Sequence, residues 1–335
     1  MKQDAIELEN EMLRYAPPKV KLDKVELAVD VYPFKLTESL LFVQNDGKTR
    51  VKAHFKDPHF EKIGEFPEWL SVTPSEFEID RKDRSKRSVL LQFRFGNVPY
   101  NTYFKKGYYD YTLVLEIENG KVIFIPIRFT LRKTSFYKTI TNLNMHPNGY
   151  LLEQPYKYTP LLIPKEIWRL CNYLFDNMKS DKKFSLNSLI FNGYSVYYDI
   201  LVSLDNHREF NPSLNYNRVF EFLYLFLINL VDSIIPSHLY EQVVIHGDKQ
   251  SNDMELFFKN FENEIPVENK NLFVYLIQFI KEILANNLTI DKREFVNFFS
   301  PCFIRTSDNT KRQCDSRAIN NFLLHFINSK KVTQI

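Results

Sequence analysis

Glycine and cysteine are both scarce in this chain, which has eight glycines and three cysteines among 335 residues. So few glycines leave little material for a backbone loop that cradles phosphate, and the motifs GxxxxGKS/T, GxGxxG, HExxH and GxSxG are all missing. The cysteines Cys171, Cys302 and Cys314 form no CxxC pair, which argues against a disulfide framework and against a thiolate zinc site. We therefore expect no cofactor and no metal.

An excess of charge of one sign and a long apolar run are missing as well. The 44 Lys and Arg residues against 41 Asp and Glu residues give a formal net charge of +3, too little for a nucleic-acid-binding surface. The most apolar stretch, residues 219–235, is interrupted by Glu221, Asn229 and Asp232, which favours a buried helix over a membrane span. The acidic N-terminus lacks the apolar core of a signal peptide. These features predict a cytoplasmic protein that does not bind nucleic acid.

The period of the hydrophobic pattern changes along the chain. Residues 24–132 contain at least six short segments in which apolar and polar residues alternate, separated by turn signals such as Asn119-Gly120. From Pro164 onward apolar residues recur at the spacing of one helix face, beginning with Ile167, Trp168 and Cys171. The pattern predicts a multidomain β + α protein, with an immunoglobulin-like β-sandwich followed by an all-α domain.

The predicted boundaries follow from these changes of period. We expect an N-terminal helix and lead-in at residues 1–20, the sandwich at 21–133, a connection at 134–163 and the helical domain at 164–335. The aperiodic, proline-containing composition of residues 134–163 is the reason for treating them as a connection. After the helix that begins at Pro164, further helices are predicted at residues 196–204, 219–231, 238–244, 254–261, 269–285 and 316–328.

Scattered histidines and one basic run give ambiguous signals. His54 and His59 have a spacing that can hold a metal, but nothing completes a ligand set, so solvated loop positions are favoured. His238 and His246 are interpreted as structural or surface residues. The basic run at residues 81–87 fits either an exposed connection between strands or a contact with an anionic membrane.

Particular segments resemble known families. Residues 66–79, which read F-P-E-W-L-S-V-T-P-S-E-F-E-I, resemble the signature of ASH domains, the ASPM, SPD-2 and Hydin type of β-sandwich related to major sperm protein. Residues 163–168, 226–240 and 316–323 resemble the start, middle and end of a RhoGAP-like domain. Their order is similar to the C-terminal tandem of OCRL-type (Lowe syndrome) inositol polyphosphate 5-phosphatases. The resemblance covers residues 5–330 and implies an ASH/MSP-like sandwich followed by a RhoGAP-like helical domain, without a phosphatase motif.

The RhoGAP-like segment departs from the family at its charged positions. An active RhoGAP offers an arginine finger in L-F-R-x-x-G, which raises the rate roughly a thousand- to a hundred-thousand-fold. Residues 189–193 read L-I-F-N-G, with Asn192 in place of the arginine, and the supporting Lys and Arg fall on Tyr224 and Ile228. The resemblance therefore implies a RhoGAP fold that is not an enzyme. Two alternatives remain: a divergent GAP that uses Arg208 or Arg218, and a structural ASH-type cytoskeletal module.

The resemblance also implies a GTPase-binding strand. ASH domains of this family engage Rab GTPases through a strand with an aromatic residue in a G-K-x-x-F context, which stands here at residues 120–124. The Rab-binding candidates are Val122, Phe124 and Pro126, which strand alternation places on one face, opposite Ile123, Ile125 and Ile127. Both faces are apolar, so Phe124 fits either a binding surface or an ordinary core position.

The helical domain of this family captures short helical peptides that carry Phe and His, from endocytic adaptor proteins, by means of the Trp in P-K-E-I-W. Here that residue is Trp168, and Cys171 and Asn172 continue its stripe as peptide-binding candidates; a core tryptophan would show the same pattern. The resemblance thus implies an adaptor that binds Rab GTPases, Phe/His-motif peptides and, as further candidates, Rho, Rac or Cdc42-type GTPases. It would bring a phosphoinositide 5-phosphatase to endosomal membranes, as a cytoplasmic protein held there peripherally through its partners.

Overall fold

The chain divides into two compact units, Met1–Arg132 and Lys133–Ile335, in the computed structural model. The first unit consists of β-strands and the second of helices, which confirms the predicted β + α fold. The structure describes residues 16–80, 86–96, 104, 106–147, 149–151, 161–178, 184–248, 263–287, 290–305 and 309–329, with the backbone alone at 309–314. The helix predicted within the N-terminal lead-in, at residues 4–15, and the helix predicted at 254–261 lie outside these residues.

The β unit contains two sheets that face each other. Its strands are β1 (Val20–Leu22), β2 (Leu27–Val31), β3 (Thr37–Asn45), β4 (Val51–Lys56), β5 (Leu70–Thr73), β6 (Glu76–Ile79), β7 (Lys86–Phe93), β8 (Tyr108–Ile117) and β9 (Val122–Leu131). One sheet has the order β1-β3-β7-β5 and the other β2-β9-β8-β4-β6. The pairing of β2 with β9 is parallel, whereas β8 and β4 pair with their neighbours in antiparallel fashion.

Aromatic side chains fill the space between the two sheets. Trp69, just before β5, stacks on Phe95 at 4.9 Å and meets Phe129 of β9 edge-on at 5.5 Å. Phe93 of β7 contacts the same Phe129 at 5.0 Å. Pairs of this geometry contribute about 0.5–1.5 kcal/mol each beyond the burial of their area. The tryptophan of the ASH-like segment is therefore the centre of the β core.

The β8–β9 turn is not the type I′ turn that an Asn-Gly pair often forms. Asn119 has a positive φ of 57°, whereas Gly120 does not, and the amide of Gly120 donates to the carbonyl of Ile117 at 2.9 Å. Residues 118–121 connect the strands. A two-residue type I′ turn needs two positive φ angles, and this longer connection needs only one.

The second unit is built from helices, as expected from Pro164 onward. They are α1 (Ile140–Asn144), α2 (Lys165–Met178), α3 (Tyr194–Asp205), α4 (Tyr216–Ile228), α5 (Tyr240–Asp248), α6 (Val267–Asn286), α7 (Lys292–Phe303) and α8 (Asn309–Asn328), with 3-10 turns at Leu186–Ser188 and Ser237–Leu239. The short helix α1 and the longer α7 were not predicted. Buried aromatic residues of α4, Phe220, Phe222 and Phe226, lie at the centre of this unit.

The first part of the segment predicted as a connection belongs to the helical core. Phe136 and Tyr137 are fully buried, and the Phe136 ring lies 5.7 Å from that of Phe226 in α4. The amide of Ser135 donates to the buried carboxylate of Asp205 at 2.8 Å. A segment without a periodic hydrophobic pattern can thus be buried when single aromatic side chains, rather than one face of a helix or strand, fill the core.

Candidate functional site

Half of β9 has a partner strand on one side only. β8 pairs with β9 along residues 122–130, but β2 pairs with it only along residues 127–131. β2 cannot extend further because the strand before it, β1, belongs to the other sheet. Within the described part of the chain, residues 122–126 of β9 therefore form an open edge of the five-stranded sheet.

The exposure of the side chains along this open edge distinguishes a surface position from a core position for Phe124. Phe124 is 65% exposed and Val122 48% exposed, and Pro126 on the same face is exposed as well. Ile125 and Ile127, on the opposite face, are buried between the sheets. Phe124 is thus not a core residue, and the apolar outer face of the strand is accessible.

Charged side chains flank this apolar strip on the outer face of the sheet. His54 Nε2 lies 3.0 Å from Glu116 Oε2, and Glu116 stands directly opposite Val122. At the other end of β9, Arg128 Nε donates to Asp110 at 2.7 Å, and this hydrogen bond holds the pKa of Asp110 below its usual value. An apolar patch with a polar rim is the common composition of a protein-binding hot spot.

The second candidate surface lies on α2. Trp168 is 47% exposed, so it is not a core tryptophan, and the preceding Leu162 is 73% exposed. With 3.6 residues per turn, Lys165, Trp168, Arg169 and Asn172 fall within an arc of about 100° on the outer side of the helix. We call these four residues the Trp168 face.

Cys171 does not belong to this face, so its prediction as a peptide contact is wrong. Its side chain is fully buried, and burial raises the pKa of the thiol. Position 171 follows Ile167 and Leu170 on the inner side of α2, and all three are buried. The hydroxyl of Tyr275 in α6 is near enough to the thiol to influence its pKa.

The third candidate surface surrounds Asn192, which is exposed in the short segment before α3. The preceding Phe191 has a φ of 55° and its ring lies 5.3 Å from that of Tyr224, which lies 4.5 Å from Phe298. At position 224, where the resemblance implies a lysine, the chain therefore has a tyrosine whose ring packs between those of Phe191 and Phe298. This surface carries no charge at position 192 or 224.

Arg218 lies beside this segment but is held by a buried acid. Its guanidinium donates to Glu221 at 2.8 Å, and its Cδ is 3.0 Å from where a Cβ on Gly193 would lie. Glu221 is fully buried and also accepts hydrogen bonds from the hydroxyl of Tyr197 and the amide of Ile190. Breaking a buried pair of this kind costs about 3–5 kcal/mol, which opposes any reach of Arg218 toward a partner.

Arg208, the other alternative arginine, is remote from Asn192 along the helix. It follows the C-terminus of α3, whereas Asn192 precedes the N-terminus, and a helix of twelve residues is about 18 Å long. Its backbone carbonyl accepts a hydrogen bond from Arg169 of α2. Arg208 thus borders the Trp168 face rather than Asn192.

The remaining sequence signals form no further site in the described residues. His54 pairs with Glu116, and no group of three His, Cys, Asp or Glu residues there is arranged to hold a metal. His238 is in a 3-10 turn and His246 in α5. Residues 81–85 of the basic run lie outside the described ranges. Among the described helices, none combines the length and the apolar character that a membrane span requires.

Comparison with known proteins gives distant similarities. No protein-family model matches the chain. The type II inositol 1,4,5-trisphosphate 5-phosphatase of Mus musculus is 21% identical in an alignment of 317 residues that covers 86% of this chain and 30% of that protein. The chain therefore spans less than a third of the length of this curated relative.

Solved structures are similar to parts of the chain. An ASH/PapD-like domain of human CEP192 is 14% identical, with 34% of this chain and 86% of that one covered and a TM-score of 0.27. Human Rho GTPase activating protein 15 is 13% identical, with 59% and 93% covered and a TM-score of 0.46. An MSP-domain-like protein of Caenorhabditis elegans, SSP-19, is 12% identical, with 33% and 98% covered and a TM-score of 0.24.

The inner side of α2 carries a buried acid whose ionisation is linked to stability. Burial raises the pKa of Glu166 to about 8, against its ordinary 4.5. Between these pH values the folded state binds one proton more than the unfolded state, so the free energy of unfolding falls as the pH rises. We expect Glu166→Gln to remove this fall and to become more stable than the wild type, by about 1 kcal/mol or more, near pH 8.

Urea denaturation of both proteins near pH 5 and near pH 8 measures this difference. The exposed Glu209→Gln serves as the control and should show no pH-dependent gain. Parallel pH dependences for the wild type and Glu166→Gln would contradict the assignment.

Proposed function

We propose that this chain is a non-catalytic adaptor region that binds Rab GTPases through the open edge of β9. Through this contact it would bring a phosphoinositide 5-phosphatase, of which the chain is one part, to endosomal membranes from the cytoplasm. The observation that carries the proposal is the exposed aromatic Phe124 within a strand segment that is paired on one side only. The distant similarity to an inositol 5-phosphatase supports the link to that enzyme class.

The open edge offers two kinds of interaction to a partner. A strand of the GTPase added beside residues 122–126 would form main-chain hydrogen bonds, the mode by which many sheets accept an extended segment. Val122 and Phe124 would add apolar contacts, and a buried aromatic anchor contributes about 2 kcal/mol or more at such an interface. The charged rim of Glu116 and Arg128 would then fix the orientation of the partner.

We expect Phe124→Ala to weaken Rab binding by at least about tenfold, because truncation removes the aromatic anchor. Pull-down with nucleotide-locked Rab GTPases measures the loss. Stability should change by about 0.5 kcal/mol at most, because the side chain is largely exposed.

Leu40→Ala is the matched control for this experiment, since Leu40 is an exposed apolar residue of β3 in the other sheet. It should leave Rab binding unchanged. Equal binding by the wild type and a folded Phe124→Ala variant would refute the proposed site. If no GTPase binds at all, a structural ASH-type module becomes the better account of the chain.

We further propose that the helical unit can contact Rho, Rac or Cdc42-type GTPases without activating them. The amide of Asn192 cannot neutralise the charge that develops on the transferred phosphate, which is the task of an arginine finger. Tyr224 is packed against aromatic rings, and Arg218 is paired with the buried Glu221. Both features support the absence of catalysis, and the contact itself is inferred from the resemblance alone.

Single-turnover GTP hydrolysis by these GTPases, with and without the chain, tests the absence of activation. The expected rate with the chain is within about twofold of the intrinsic rate, against the thousandfold or greater increase of an active GAP. A known RhoGAP domain provides the positive control. A sizeable stimulation would establish the divergent-GAP alternative, with Arg218 as the candidate for the catalytic arginine.

A second candidate function is the capture of Phe- and His-containing helical peptides of endocytic adaptors on the Trp168 face. The exposure of Trp168 favours it, and Asn172 lies one helical turn away on the same side. We expect Trp168→Ala to abolish measurable binding in a calorimetric titration with such a peptide, whereas Cys171→Ser should affect stability rather than affinity. Undiminished affinity of Trp168→Ala would exclude this face.

A further inference from the structure

Cationic side chains gather around Trp168, where α2 begins and α3 ends. They are Lys133, Lys138, Lys165, Arg169 and Arg208, and the imidazole of His207 lies among them. Lys165 Nζ lies 3.1 Å from His207 Nε2, and the Arg169 guanidinium donates to the backbone carbonyls of Ser203 and Arg208. These contacts hold several positive groups close together at one end of the two helices.

The loop after α1 joins the two lysines of the 133–138 segment to this group. Lys133 and Lys138 each lie 5.5 Å from the centre of the Tyr150 ring. A Cβ on the neighbouring Gly149 would lie 3.1 Å from His207. The loop also accepts a hydrogen bond from Lys165, whose Nζ is 2.7 Å from the carbonyl of Pro147. All six residues therefore belong to one continuous surface.

The acids nearest to these cations, Glu166, Asp205 and Glu209, offset only part of the positive charge. Glu166 and Asp205 are buried, and the raised pKa of Glu166 keeps its carboxyl mainly uncharged at neutral pH. Glu209 is exposed and interacts with Arg169. The pKa of His207 is lowered by its partial burial and by the charges of Lys165 and Arg169. The local potential is thus one that attracts anions.

The backbone at His207 supports a role for its side chain. His207 has a φ of 53°, in the left-handed region, and follows the end of α3. The amide of Arg208 donates to the carbonyl of Ser203 at 2.8 Å, the helix-ending arrangement in which glycine is usual at the preceding position. A histidine is less favourable there than a glycine, and its imidazole lies next to Lys165. Unfavourable backbone conformations of this kind are concentrated at functional sites.

Two exposed apolar side chains border the cations. Trp168 is one helical turn from Lys165, and Leu162 precedes α2 by three residues. Indole rings favour the boundary between water and the hydrocarbon region of a membrane. Lysine and arginine beside such a ring add attraction to anionic headgroups. The combination is typical of a surface that lies on a membrane rather than of one that is inserted through it.

We propose that this surface of the helical unit docks directly on negatively charged membranes. Trp168 and Leu162 enter the headgroup region, and the five surrounding Lys and Arg side chains contact lipid phosphates. The inference is independent of Rab binding, because it uses the helical unit and the open edge belongs to the β unit. It adds a direct lipid contact to the attachment that a GTPase would provide.

Co-sedimentation of the full chain with vesicles of phosphatidylcholine, with and without phosphatidylserine, tests the proposal. Binding should require phosphatidylserine and weaken as the salt concentration rises. Reversal of two exposed cations, in Lys133→Glu/Arg208→Glu, should raise the lipid concentration for half-maximal binding about tenfold or more. The matched control is Arg293→Glu/Arg317→Glu, which reverses two exposed cations of α7 and α8 and should bind like the wild type.

Tryptophan emission reports whether this face meets the lipid. Trp69 is only 4% exposed, so a shift to shorter wavelength on adding phosphatidylserine vesicles will come from Trp168. The shift should vanish in Trp168→Phe and persist in Phe124→Ala, whatever the outcome of Rab pull-down. Equal vesicle binding by the two double variants, or an unshifted spectrum of bound protein, would overturn the proposal. Tight binding of a Phe/His peptide to Trp168 without any vesicle binding would assign the face to the peptide instead.

Discussion

The packing of Ile125, Ile127 and Phe129 against the opposite sheet is the constraint on which the exposed edge depends. These three side chains are almost completely buried, and Phe129 contacts Trp69 and Phe93. Because side chains alternate along a strand, burial of this set leaves Phe124 no inward orientation. A shift of the β9 register by one residue would bury Arg128 and Thr130 between the sheets. The loss of their hydration would not be compensated there. The proposed binding residue is therefore exposed as a consequence of core packing.

The helical unit has a packed, uncharged surface at one end of α3. Around Asn192, the rings of Phe191, Tyr224 and Phe298 contact one another, and the nearby cation, Arg218, is neutralised by Glu221. Glu221 also accepts hydrogen bonds from the hydroxyl of Tyr197 and the amide of Ile190, so it is part of the core of the unit. Positive charge is instead concentrated at the other end of α3, beside Trp168. The two ends of this one helix thus carry surfaces of different chemistry.

The division into β and α parts was predictable from the sequence because hydrophobic period is a property of many residues together. Single positions were harder. Phe124 lies on a strand with two apolar faces, and only the packing of Ile125 and Ile127 between the sheets shows which face is exposed. Cys171 and Trp168 are about 60° apart on the helix, too close for the pattern to separate the buried from the exposed side. Helix α7 was missed although Asp291 caps it by accepting from the amide of Glu294, a capping signal present in the sequence.

Pro126 has a consequence for the solubility of the β unit. An unpaired strand segment is a template on which identical chains can stack, and such stacking leads to aggregates. Thr112 of β8 lies opposite Pro126, and the pairing of β8 with β9 continues past this position. The N–H that proline lacks would therefore have pointed away from β8, toward the open edge of β9. Any strand that adds beside residues 122–126 finds no N–H at Pro126 and forms one main-chain hydrogen bond fewer. Promiscuous association between copies is thereby discouraged, while a cognate protein that gains enough from Phe124 can still tolerate the gap.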